Sequence, residues 1–230
     1  RARWWCAHAP DGVVDGRIEI TRLEQVDGPA PIEGAVGLVA PCSLPGSFLA
    51  HLDAGADRPS QLRSLSGKTA RRLLSDTRSF AKARNRGDRH PRRFDRESVS
   101  ALDRTRLPLL CAALPLLRAH RVLPWAQAEP PFLCEVDVPA FLAGLALPHI
   151  ALAGTGRLAV EHRVQVLQAL EEGVAGPVVH VTERNLAIAS VDAWRSIVAA
   201  VATAWMLGNG PPAVAVDAPG WIPIPQRSAS

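Results

Sequence analysis

The stretch FLCEVDVPAFLAGLALP, Phe132 to Pro148, decides the fold class. Its first five residues form a short, nearly continuous apolar run with one acid, Glu135, the pattern of a buried strand. VPAFLAGLAL follows as a short helix that ends near Pro148, because proline lacks the N–H that a continuing helix requires. A buried strand followed by a helix points to an α/β architecture.

Working toward the N-terminus, GAVGLVAP (34–41) is a second apolar run and reads as a buried central strand stopped by Pro41. RWWCAH and GRIEITRL read as a hairpin turned at Asp11-Gly12, with Ile18 and Ile20 inward and Arg17, Glu19 and Thr21 outward. Toward the C-terminus, RLAVEHRVQVLQALEEG is an amphipathic helix. Leu158, Val164, Leu167 and Leu170 form its apolar stripe, and Gly173 closes it. PVVHV (177–181) is a strand candidate, and VDAWRSIVAAVATAW (191–205) is an apolar helix with Ser190 as N-cap. A hairpin followed by strands separated by helices predicts a mixed sheet with helices packed on it.

Between the strands lies a basic block. From Arg63 to Arg106 there are fourteen Lys/Arg against five Asp/Glu, a local charge of +9, which leaves −5 for the rest of a chain whose net charge is +4. Its centre is KARNRGDRHPRRFDR, with Arg84, Arg86, Arg89, Arg92 and Arg93 as candidates for phosphate contacts. A solvated insertion with no ligand explains the same composition. Only Phe80 and Phe94 lie nearby, so base stacking has little support there. SGKTARRLLSDTRSFAKAR and the segment SVSALDRTRLPLLCAALPLLRAH read as helical, the second interrupted by Pro108 and Pro115, and PWAQAEPP reads as a linker.

At 230 residues the chain suits one domain over 1–225, with the insertion at about 58–106 and a frayed tail at 226–230. Hydrophobic residues make up 47%, enough for a sizeable core. No apolar run reaches the roughly 18 residues a membrane span needs without Pro, Arg or Gly. The expected partner is therefore not a membrane, and the expected compartment is the cytoplasm. The chain opens RARWWCAHAP without Met, so residues before Arg1 are expected. Cys6, Cys42, Cys111 and Cys134 never form C-x-x-C, which favours reduced thiols over a zinc site or disulfides.

Several motifs fail on spacing. SGKT (66–69) lacks the glycine a phosphate loop requires five residues before Gly67, where Leu62 stands. GTG (154–156) lacks a third glycine and reads as a turn. Ser43, in PCSLPG, is outside any G-x-S-x-G elbow. Two carboxylates remain of interest: Glu135 at a strand end and Asp192 at a helix start. Acids converging from distant parts of a chain can hold Mg²⁺ or Mn²⁺ for phosphodiester hydrolysis. An ion pair for Glu135 and a first-turn role for Asp192 are the plain structural alternatives.

Taken in order, these pieces resemble the domain-of-unknown-function 429 family, predicted nucleases of the RNase H-like fold, over roughly Gly34 to Pro225. VGLVAPCSLP is similar to that family's I-D-x-P-L-G-x-P strand end, and RRFD (Arg92 to Asp95) to its R-x-x-D element. EVDVPAFLAGLALP is similar to its E-V-x-P-A…L-G-L-P stretch, with one extra residue before Pro139. DAWRSIVAA with the following TA resembles its D-A-L-D-A-L-V-A-A…T-A helix, and PGWIPIP its terminal E-G-W-I-Y-x-P. The resemblance implies an RNase H-like mixed sheet flanked by helices, with Glu135 and Asp192 as catalytic metal ligands and Asp95 as a supporting residue. It also implies a first-strand acid lying before Arg1.

Three departures weaken that site. Val39 stands where the family carries Asp, Arg195 where it carries the second helix acid, and Pro219 where it carries the closing Glu. An Asp192–Arg195 pair at i, i+3 is expected, and a guanidinium there repels a divalent cation. Three functions follow from this. The first is an RNase H-like domain that has lost most of its metal site and binds nucleic acid or a nucleotide through the basic block. The second is an active Mg²⁺- or Mn²⁺-dependent phosphodiesterase. The third is a non-enzymatic scaffold that meets a protein partner through exposed Trp4, Trp5 and the Pro-rich C-terminus.

Overall fold

The computed structural model describes residues 4–27, 34–40, 121–122 and 131–209, together with Leu109, Ala112, Ala113, Pro115 and Leu116. In chain order the strands are β1 (Trp4–His8), β2 (Val13–Val14), β3 (Arg17–Ile20), β4 (Arg22–Val26), β5 (Ala35–Leu38), β6 (Arg121–Val122), β7 (Phe132–Glu135) and β8 (Val178–Val181). The helices are α1 (Val138–Gly144), α2 (Arg157–Glu171), α3 (Arg184–Ala189) and α4 (Val191–Asn209). Helices and a mixture of parallel and antiparallel strands make this an α/β chain. The described residues fall into two compact units: 4–27 with 136–209, and 34–40 with Leu109, Ala112, Ala113, Pro115, Leu116, 121–122 and 131–135.

In the first unit, β1 pairs antiparallel with β4, His8 opposite Arg22 and Trp4 opposite Val26. β2, β3 and β8 form a second sheet, antiparallel between β2 and β3 and parallel between β3 and β8. The hairpin therefore differs from the expected one. Asp11-Gly12 does turn the chain, with the Gly12 N–H donating to the Ala9 carbonyl. A second turn at Asp15-Gly16, both residues at positive φ (50° and 72°), then folds β3 onto β2 instead of β1. That pair of left-handed residues is what a two-residue type I′ loop requires. β1 takes the next segment, Arg22–Val26, as its partner. Ile18 and Ile20 point into the core and Arg17, Glu19 and Thr21 outward, as the alternation requires.

Helix α1 starts at Asp137, whose Oδ1 accepts the Ala140 N–H at 3.1 Å. Pro139 sits in the first turn, where no intrahelical partner exists for its missing N–H. At the C-terminus Ala146 N–H donates to Ala143 O (3.0 Å) and Leu147 N–H to Leu142 O (2.9 Å), with Ala146 at φ +60°. This is a Schellman ending in which alanine occupies the left-handed position usually held by glycine. Helix α2 ends the same way with Gly173 at φ +82°, Gly173 N–H to Leu170 O and Val174 N–H to Ala169 O.

The buried face of α2 is Ala159, Arg163, Val166, Leu167 and Leu170. Leu158 lies outside it, 56% exposed, so the stripe is rotated from the one expected and contains an arginine. Helix α4 is apolar nearly all round. Trp194, Ile197, Val198, Val201 and Met206 are buried, each large side chain contributing about 1.5–3 kcal/mol. Its buried hydroxyls bond within the helix, Ser196 Oγ to Ala193 O and Thr203 Oγ1 to Ala199 O, both 2.7 Å. Ser190 Oγ accepts the Ala193 N–H at 3.3 Å and caps the helix, as the sequence predicts. Trp205 meets Phe141 edge-on at 6.2 Å and ties α4 to α1. Among the described residues no helix is long and apolar enough to cross a membrane.

In the second unit the strands are all parallel, in the order β5-β7-β6. FLCE is the central strand, with Leu133, Cys134 and Glu135 buried. GAVGLVAP was expected to be central. Among the described strands β5 stands at an edge, and Ala35, Val36 and Gly37 are only half-buried.

Candidate functional site

Parallel strands deliver the residues after their C-terminal ends to one rim of the sheet, where ligands bind in open α/β folds. Leu38 is in register with Glu135 across the β5–β7 pair. Val39, the next residue, therefore leaves β5 beside the end of β7. Glu135 is 3% exposed and Val39 half-buried. Two of the three places singled out by sequence, Glu135 and Val39, are thus adjacent. The third, Asp192, belongs to the first unit.

Asp192 is in the first turn of α4, exposed, and its Oδ1 accepts a hydrogen bond from Arg195 Nη1 at 3.0 Å. This is the expected i, i+3 pair. Both side chains are well exposed, which limits the pair to a few tenths of a kcal/mol, about 0.2–0.5. Ser190 rather than Asp192 caps the helix, so the carboxylate is not used up by capping. Its negative charge suits the helix N-terminus, while the guanidinium beside it opposes a divalent cation. Among the described residues, no group of three or more His, Cys, Asp or Glu is placed to hold a metal ion.

Arg84, Arg86, Arg89, Arg92, Arg93 and Asp95 lie outside the described residues, as do SGKT, Ser43, Cys42, Cys111 and PGWIPIP. GTG forms the bend that leads into α2, with Gly154 at φ +94° and Gly156 as N-cap. Cys6 is half-buried and Cys134 buried. Trp4 and Trp5, expected to be exposed, are half-buried.

Three polar arrangements in the first unit went unread in the sequence. On one face of the β1–β4 pair, Glu24 Oε1 accepts from Arg22 Nη2 at 3.0 Å and meets His8 Nε2 at 2.8 Å. Cys6, opposite Glu24, shares that face. Burial pushes the Cys6 thiol up, the Glu24 carboxylate adds to the rise, and Arg22 pulls against it. The thiol is thereby kept protonated and is a poor nucleophile at neutral pH. Glu183 Oε2 accepts the Leu23 N–H at 2.6 Å and covers part of the outer edge of β4.

The third is Arg163, 1% exposed. Nε donates to Ile188 O at 3.0 Å, and Nη1 to Leu152 O and Gly154 O at 2.8 and 2.9 Å. Its own carbonyl accepts Trp194 Nε1 at 3.3 Å. The signal for it was present in the spacing: Ala159, Arg163 and Leu167 succeed one another at i+4 on the buried face. In a comparison with known proteins, no family model, curated protein or solved structure matches this chain.

Proposed function

We propose that this chain is an RNase H-like domain, akin to the predicted nucleases of the domain-of-unknown-function 429 family, that binds nucleic acid and has lost most of its metal site. The observation that carries this reading is the Leu38–Glu135 register. It sets Val39 beside the strand end of Glu135, in the place where the resembling family carries a second acid. A valine offers no donor oxygen. On α4 the remaining acid, Asp192, is engaged by Arg195 rather than joined by another carboxylate.

Mg²⁺ and Mn²⁺ take several hard oxygen donors. Glu135 supplies such a donor, Val39 supplies none, and Arg195 places a permanent positive charge one helical turn from Asp192. The residues fit such an ion poorly, and hydrolysis through it is not part of this reading. Affinity for nucleic acid rests instead on Arg84, Arg86, Arg89, Arg92 and Arg93, whose guanidinium groups suit phosphate oxygens.

The test is an oligonucleotide assay with and without Mn²⁺. Binding without cleavage supports the reading. Metal-dependent cleavage that disappears in Asp192→Ala would replace it with an active phosphodiesterase.

A further inference from the structure

We propose that Arg163 is a positioning residue, which fixes where α4 begins and so where Asp192 is presented. Its role toward a functional site rests on the reading that Asp192 belongs to that site. The structural part of the inference stands without it.

The argument starts from the cost of the residue. A guanidinium is permanently charged, and burying one is unfavourable unless its donors are satisfied. Arg163 occupies a position on the α2 stripe that an aliphatic side chain would fill more cheaply. Its partners among the described residues are backbone carbonyls from segments with few regular hydrogen bonds of their own. Leu152 and Gly154 belong to the loop between α1 and α2. Ile188 lies in the last turn of α3, where carbonyls have no intrahelical donor and a cation is favoured by the helix dipole.

The fork geometry of arginine matters here. Nε serves α3 while Nη1 serves the loop, so one planar group sets the spacing between them. Lysine, a single point donor, cannot reproduce this. Meanwhile the main-chain carbonyl of the same residue receives the indole N–H of Trp194, which is fully buried two residues after Asp192. The corner from Ile188 to Trp194 is therefore held to α2 at both ends by one residue. Ser190, the cap of α4, and Asp192 lie between these two attachments. His162, the preceding residue, adds a contact to the same loop, Nδ1 to Ile150 O at 3.0 Å.

The test compares amide exchange in the whole chain and in Arg163→Ala, followed for Trp194, Arg195 and Ser196 in the first turn of α4 and for Val198 to Ala202 further along. The inference expects first-turn protection to fall about ten- to a hundredfold relative to the later amides. It also expects methylguanidinium, which fits the vacated space, to restore that protection, and methylammonium at equal concentration to fail. Unchanged first-turn protection, an equal loss along the whole of α4, or no selectivity between the two cations would overturn it. Should Arg163→Ala fail to fold, Arg163→Lys decides: a loss confined to the first turn supports the inference, and full protection there overturns it. Neither readout involves a ligand, so a failure of the Asp192 reading leaves this result standing.

Discussion

Exchanging the residues at two helix ends, Ala146→Gly and Gly173→Ala, should move stability in opposite directions. Both positions are left-handed, at φ +60° and +82°, and both close a Schellman ending. A side chain in that conformation costs about 1–2 kcal/mol. Glycine avoids this but loses about 0.4–1 kcal/mol more chain entropy on folding. The balance predicts that Ala146→Gly stabilises the protein by about 0.5–1 kcal/mol. Gly173→Ala should destabilise it by about 0.5–1.5 kcal/mol. The larger figure reflects crowding, since an added Cβ would lie 3.3 Å from Val178 Cγ2. Val178 is 41% exposed and can yield, which keeps the penalty modest. Urea unfolding followed by tryptophan fluorescence measures both, read as midpoint shifts at constant m. A loss of stability in Ala146→Gly, the outcome for glycine in an ordinary helix or loop, would refute the account of how α1 ends.

Other expectations concern single groups. Removing the cap of α4 with Ser190→Ala should cost about 1 kcal/mol by the same unfolding assay. Cys6 has a raised folded-state pKa, so it favours folding below the ordinary thiol value of about 8.5 and loses that contribution as pH rises past it. Stability should therefore decline on the alkaline side less steeply in Cys6→Ser than in the parent chain, and peptide mapping should find Cys6 alkylated more slowly than a free thiol at pH 8.5. If Arg195 excludes a cation, Arg195→Asp should strengthen Mn²⁺ binding about tenfold or more, measured by calorimetry; equal affinity in the two chains would remove Arg195 as the cause.

What could be read in the sequence follows from how local each signal is. FLCEV, PVVHV, the Asp192–Arg195 pair and the Ser190 cap depend on neighbours a few residues away, and the structure has them. Strand partnership is not local. The segment RWWCAH contains nothing that says it will pair with Arg22–Val26 rather than with GRIEI. The Asp15-Gly16 turn pairs β3 with β2, and β1 takes the segment after β3 instead. Helix phase failed for a different reason. A stripe drawn through leucines and valines alone skips Arg163, because a charge is assumed to face solvent. Here the carbonyls that satisfy it come from Leu152, Gly154 and Ile188, and no helical periodicity could announce them. At the candidate site, the sequence supplied Glu135 and Val39 as separate observations. Their adjacency required the β5–β7 register.

The central claim, nucleic-acid binding by a domain with a depleted metal site, is tested most directly by fluorescence anisotropy of a labelled single-stranded oligonucleotide across a salt series without divalent metal. Five arginines contacting phosphates predict a log–log slope of about −3.5, so that affinity falls steeply between about 50 and 200 mM salt. No binding at the lowest salt, or an affinity indifferent to salt, would contradict the account.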